Sequence, residues 1–205
     1  MITIVDYGMG NLASIANMLA RVGAAARIAS APADVRAATK LVLPGVGASD
    51  TGMERLVASG LVPVLRERAV EAGVPTLGIC LGLQLMARSS EEGRLPGLGW
   101  IDATVVRFRD PGGAARLRVP HMGWGRVTPV RPHPLFAGIE TRPRFYFVHA
   151  YHLRLARPED LLAEAVHGAA FPAAVAIGSL LGVQFHPEKS HRDGMALLRN
   201  FAERA

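Results

Sequence analysis

One cysteine, one histidine and one glutamate carry the chemistry that this chain of 205 residues advertises. The cysteine is Cys80, the only one present, set in Thr76-Leu77-Gly78-Ile79-Cys80-Leu81-Gly82-Leu83-Gln84. An apolar run ends at Cys80, glycines flank it at a spacing of two, and helical periodicity begins at once. Strand, tight turn and helix in that order make a nucleophile elbow, which lifts a reactive side chain to the top of a sheet and places it at a helix start that favours thiolate. Taken alone, a single cysteine is more often a small buried hydrophobe than a nucleophile. A nucleophile needs a base and the base needs an orienting group. Gly182-Val183-Gln184-Phe185-His186-Pro187-Glu188-Lys189-Ser190 supplies both types. In an extended segment, positions i and i+2 share a side. Glu188 would then hold one nitrogen of His186 while the other faces a thiol, as in a triad.

Other segments answer to the same chemistry. Pro44-Gly45-Val46-Gly47 closes an apolar run; it is a tight strand-to-helix turn, and beside an acyl-transfer nucleophile its N–H groups near Gly47, with that of Leu81, would form an oxyanion hole. Gly8-Met9-Gly10-Asn11-Leu12-Ala13 matches a dinucleotide fingerprint, but Ile28-Ala29-Ser30 stands where the ribose-binding acid belongs, so nicotinamide binding is rejected. His121, His133, His149, His152, His167 and His191 show no metal-ligand spacing, and neither a metal nor any other cofactor is expected.

These turns must be held by elements. Ile2–Val5, Arg27–Ala29, Lys40–Leu43 and Thr76–Ile79 read as strands, with helices over Leu12–Val22 and Thr51–Ala72, the latter broken near Gly60 and Pro63. That alternation predicts a parallel sheet covered on both faces, with the glycine turns converging beyond the strand ends. From Trp100 the rhythm changes to short strands, Ile101–Phe108, Trp124–Val130, Arg144–Val148, Ala173–Ile177 and Leu180–Phe185, in antiparallel or mixed arrangement, before a closing helix over Asp193–Ala205. The expectation is one α/β domain over 1–205, a central mixed sheet between helices. The net charge of +6 is spread thinly, although arginines thicken between Arg107 and Arg157. Without dense basic runs interleaved with aromatics, no nucleic-acid partner is expected. No run approaches the ~20 apolar residues of a membrane span, and the start Met1-Ile2-Thr3-Ile4-Val5-Asp6 makes a poor signal peptide. With a single cysteine, a reducing cytoplasmic setting is expected.

Taken together, the elbow, the His-Pro-Glu segment and the Pro-Gly-Val-Gly turn resemble the class I, triad-type glutamine amidotransferases, whose fold is flavodoxin-like. Asp6-Tyr7-Gly8-Met9-Gly10-Asn11-Leu12, Pro120-His121-Met122-Gly123-Trp124 and Tyr146-Phe147-Val148-His149-Ala150-Tyr151 are closest to one group within them, the glutaminase subunits of imidazole glycerol phosphate synthases. The resemblance implies that Cys80 attacks the carboxamide of L-glutamine, that His186 shuttles the proton, and that Glu188 orients His186. It implies an oxyanion hole at Gly47 and Leu81 and substrate contacts at Gly45, Gln84, His149, Ala150 and Tyr151. It also implies a heterodimer in which ammonia passes to a β/α-barrel cyclase subunit that makes imidazole glycerol phosphate and aminoimidazole carboxamide ribotide in histidine biosynthesis. Asn11, Trp124, Tyr146 and Lys189 map to the partner interface. Three positions depart from the pattern: Gly125 replaces an Asn, Ala150 replaces Ser or Thr, and Ala48-Ser49-Asp50 lacks an aromatic.

Overall fold

A computed structural model describes residues 1–110, 112, 117–139 and 142–204. The chain runs β1 (Ile2–Val5), α1 (Leu12–Arg21), β2 (Ala26–Ala29), α2 (Pro32–Arg36), β3 (Lys40–Leu43), α3 (Ser49–Ala58), α4 (Val62–Arg66), β4 (Thr76–Ile79) and α5 (Leu81–Leu85). It continues through β5 (Ser89–Ser90), β6 (Ala103–Arg107), β7 (His121–Arg126), β8 (Thr128–Pro129), β9 (Arg144–His149), β10 (Tyr151–Leu155), β11 (Leu161–His167), β12 (Ala169–Ile177), β13 (Leu180–Val183) and α6 (His191–Arg204).

The main sheet has the order β2-β1-β3-β4-β13-β12-β11-β8. Its first five strands are parallel, and β12, β11 and β8 follow antiparallel. Its parallel centre is buried on both faces: every residue of β1, β4 and β13 is buried, and all but Thr3 and Thr76 are apolar or glycine. Alternate residues serve opposite faces. Ile2, Ile4, Val42, Leu77 and Ile79 join α1, α6 and the rings of Phe145, Phe147 and Phe185 in one core. Val5, Leu41, Leu43 and Val175 pack with α3, α4 and α5 in the other. Two small sheets, β10-β6-β5 and β7-β9, lie outside the main one.

The α/β alternation predicted for the first ninety residues is present, with adjustments. The expected helix over Thr51–Ala72 divides into α3 and α4, and α4 runs on through a π turn at Glu67–Glu71. Gly60, at φ +70°, and Pro63 make the break. The run Trp124–Val130 is two strands in two sheets: β7 starts earlier, at His121, and β8 crosses to the main sheet after the buried Val127. The last helix begins at His191; Ala205, where it was expected to end, lies outside the described residues. Four elements had no clear signal: α2, β5, β10 and β11. The last reads Leu-Leu-Ala-Glu-Ala-Val-His, mostly helix-favouring types that become strand only because β12 pairs along it.

Candidate active site

Strand β4 ends at Ile79 and is followed by Cys80, whose φ of 53° and ψ of −111° place it outside the regions an L-residue prefers. The strain is held from both sides. The Cys80 N–H donates to the Val183 carbonyl at 2.8 Å, and its own carbonyl accepts from Gln84 N at 3.1 Å. This is the strand–turn–helix elbow that the glycine spacing predicts. Gly82 allows it: a Cβ there would lie 1.9 Å from the Leu43 carbonyl oxygen, so the elbow rests backbone-to-backbone on the end of β3.

His186 lies three residues past β13, and its N–H donates to the Tyr146 carbonyl at 2.9 Å. The segment after it is not extended as expected. Pro187–Lys189 forms a 3-10 turn, because Pro187 fixes φ at its start and Ser190 Oγ donates back to the His186 carbonyl. The turn still folds Glu188 onto the imidazole, with Oε1 2.7 Å from Nδ1 and both side chains only 2% exposed. Burial works against the imidazolium, but hydrogen bonding and charge from Cys80 and Glu188 outweigh it and raise His186 to about 10. His186 Nε2 is buried without a hydrogen bond of good geometry, although the Cys80 thiol is near enough to act on it. Catalytic hydrogen bonds are often loose before substrate binds.

Cys80, Leu81 and His186 open into a cavity of about 500 Å³, together with Gly10 and Gly47. The three predicted glycine turns, the elbow among them, therefore meet at one place. Gly47 is in the left-handed region at φ +100°, and Tyr7 Oη donates to the Pro44 carbonyl at 2.7 Å, pinning the start of that turn. Burial raises the Tyr7 phenol well above its ordinary value, so it stays a donor. Gln84, His149, Ala150 and Tyr151 also line the cavity. Gly45 does not: it is buried, and a Cβ on it would be 2.8 Å from Gly82 N. What the structure shows at Gly45 is close packing of one turn on the other.

Of the four interface candidates, Asn11 and Lys189 line the cavity mouth. Asn11 also caps α1 by accepting from Ser14 N at 3.3 Å. Lys189 Nζ lies 5.8 Å from the Tyr146 ring, which meets Trp124 edge-on at 6.2 Å. Trp124 is 41% exposed and its neighbour Met122 64%, so this apolar face adjoins the cavity rather than the core. Gly125 is explained by room: a Cβ there would press on the Phe147 ring at 2.8 Å.

Two residues in the cavity region had no sequence signal. Glu92 lines the cavity and accepts from Ser49 N at 2.9 Å. Burial, with Asp50 nearby, raises its carboxyl against the pull of that hydrogen bond. Gln184, fully buried, touches Cys80. Behind the cavity wall, His149 packs on Phe108 at 5.2 Å and on His121 at 5.4 Å, and His121 stacks on His167 at 4.3 Å. Burial lowers His149 to about 3 and His121 to about 4. Among the described residues no group of three or more His, Cys, Asp or Glu is arranged to hold a metal, and no helix is long and apolar enough to cross a membrane.

These lowered histidines give a stability prediction. Below pH ~6.5 the unfolded chain takes up protons at both rings, while the native chain refuses them until about 4 and 3. Their contribution is full above 6.5 and is lost as pH falls towards 3. The melting temperature is therefore expected to drop between pH 7 and pH 5, and less steeply in His121→Phe, which keeps the stack on Phe147. Equal slopes in the two proteins would contradict this.

With the geometry in view, relatives can be placed beside it. The family profile described as glutamine amidotransferase class-I matches residues 3–205. The chain belongs to the class-I glutamine amidotransferases. The imidazole glycerol phosphate synthase subunit HisH 2 of Pseudomonas aeruginosa is 50% identical over 205 residues, covering 99% of each chain. The subunit HisH of Bdellovibrio bacteriovorus is 47% identical over 203 residues, covering 99% of this chain and all of that one. A solved glutamine amidotransferase superposes with a TM-score of 0.74 at 23% identity, covering 98% of this chain and 97% of that one. The α/β amidotransferase fold expected from the motifs is thus the fold observed, and the resemblance to HisH subunits holds along the whole chain.

Proposed function

We propose that this chain is the glutaminase subunit of an imidazole glycerol phosphate synthase, releasing ammonia from L-glutamine for a β/α-barrel cyclase partner in histidine biosynthesis. One observation carries the reading: a buried His186–Glu188 pair faces a cysteine held at a strained elbow, inside a cavity of about 500 Å³. In this reading residues 1–205 act as one cytoplasmic domain without a cofactor.

Cys80 gives its proton to His186 and attacks the side-chain carboxamide carbon. The developing oxyanion is held by N–H groups at Leu81 and Gly47. His186 then protonates the departing nitrogen, ammonia leaves, and a γ-glutamyl thioester remains. Water attacks the thioester, losing its proton to His186, and glutamate departs as Cys80 is restored. Glu188, on Nδ1, holds the ring so that Nε2 meets each of these atoms in turn. Ammonia released into water at pH 7 would mostly protonate and lose its lone pair, so a closed path to the partner preserves it as a nucleophile. The exposed Trp124 face with Tyr146, Lys189 and Asn11, beside the cavity mouth, is suited to dock that partner.

Recognition of the substrate's amino-acid end needs acceptors for its ammonium group. Glu92 is a carboxylate in the cavity wall, and among the described residues no ion pair is formed by it, so it fits that task. Glu92→Gln keeps the bond from Ser49 N and removes the charge. The KM for glutamine is expected to rise about 10- to 100-fold, with kcat changed far less, the scale of one charged hydrogen bond. An unchanged KM would remove Glu92 from the binding site.

The proposal as a whole is tested by glutamate release with and without a barrel cyclase subunit and its nucleotide ligand. Slow release alone and a large rise in the three-component mixture are expected. Full turnover without the partner would overturn the coupled reading.

A further inference from the structure

Gln184 is fully buried beside the nucleophile, in the segment between β13 and His186. Its Nε2 lies 3.8 Å from Cys80 Sγ, and its Oε1 lies 3.0 Å from Gln84 Nε2. The polarity of this chain of amides follows from one group that can only accept. The Tyr151 carbonyl accepts from Gln84 Nε2 at 2.9 Å and has His149 Nδ1 at 2.7 Å. Gln84 must therefore present its NH₂ end to Tyr151, and its second proton goes to the Gln184 oxygen. That leaves the Gln184 NH₂ pointing at sulfur. Turning either amide over would break two hydrogen bonds.

We propose that Gln184 is a catalytic residue that donates an N–H to Cys80 Sγ whenever the sulfur carries negative charge, and that Gln84 and the Tyr151 carbonyl fix its direction. The inference rests on the glutaminase reading of the same site. Sulfur is anionic at two moments: before attack on the carboxamide and again when the thioester is hydrolysed. His186 is the proton carrier at both and is committed elsewhere when it protonates ammonia. An amide never ionises, so its N–H remains on the sulfur at each stage. The same network has a consequence for substrate. Both protons of Gln84 are used inside the protein, so only its Oε1 is left to meet glutamine, and it meets a donor. The segment that lines the cavity at 149–151 is thereby tied through two buried amides to the nucleophile.

The test uses the intact protein and the neutral reagent iodoacetamide, which reads sulfur reactivity without glutamine chemistry. At pH 7, Gln184→Met is expected to slow alkylation of Cys80 about tenfold, and Gln184→Glu, which puts an acceptor where the donor was, to slow it further. In the complex with a cyclase subunit and its nucleotide ligand, kcat should fall in the same order with KM within about twofold. Reduced kcat with unchanged alkylation would make Gln184 a packing residue and overturn the proposal. Should these variants not fold, the natural chain still decides: the Gln184 side-chain N–H proton resonance is expected to shift when Cys80 is alkylated, and its failure to move overturns the proposal. If the natural chain alkylates readily but hydrolyses no glutamine with its partner present, the glutaminase reading fails while the alkylation series still judges Gln184.

Discussion

Cys80→Ala is expected to abolish glutamate release, by about 10⁴-fold or more, even with a cyclase partner and its nucleotide ligand present. Removing one member of a catalytic set that acts as a unit costs nearly as much as removing all of it, and what remains comes from binding and oxyanion contacts alone. Two features make the comparison clean. Cys80 is 7% exposed and alanine is smaller, so nothing need move to admit it. The Cys80 N–H and carbonyl bonds to Val183 and Gln84 are backbone bonds that the substitution leaves in place. The melting temperature should fall by only a few degrees, the cost of a small cavity and a lost sulfur contact. Glutamine binding, measured by calorimetry, should persist. Turnover above a tenth of the natural value would remove Cys80 as the nucleophile.

How much of this site could be read in the sequence depended on whether a residue's task is set by its neighbours in the chain or by its neighbours in space. The elbow is local: glycines at 78 and 82 around Cys80, after an apolar run, specify a turn that the structure builds as read. His186 and Glu188 are two residues apart, so their pairing was legible even though the backbone between them forms a 3-10 turn rather than an extended piece. Gln184 and Glu92 were not legible. Nothing within ten residues of Glu92 marks it as part of a cavity; it gets there because β5 leads it past Ser49 and the elbow. Gln184 looks like any polar residue at a strand end until Gln84, a hundred positions away, is placed against it. The close packing of Gly45 on Gly82 was likewise not legible, because it joins two turns nearly forty residues apart. The strand β11 shows the same limit for the fold: its residue types favour helix, and only pairing with β12 decides otherwise.

Gly82→Ala probes the assembly of the site rather than one of its reacting groups, and its effect is expected to be large, though smaller than that of losing Cys80. The added Cβ would lie 1.9 Å from the Leu43 oxygen, 2.7 Å from the Leu43 carbonyl carbon and 3.1 Å from the Pro44 carbonyl carbon, whereas ordinary contact begins near 3.4 Å. All three atoms are backbone, so no side chain can swing aside. Either the Pro44–Gly47 turn retreats from Cys80, or α5 tilts and takes Gln84 with it. Either movement is on the order of an ångström, enough to cost about 10²-fold in turnover through misplacement alone. Stability should fall by about 1–3 kcal/mol or more, as for other forced overpacking. A control separates this from the backbone cost of alanine. Gly60, at φ +70° with no atom within 4 Å of where a Cβ would stand, bears only the left-handed strain. Gly60→Ala should therefore lower the melting temperature modestly and leave kcat intact. If Gly82→Ala behaves like Gly60→Ala, the contact between the elbow and the glycine turn is not what holds the Pro44–Gly47 turn against Cys80.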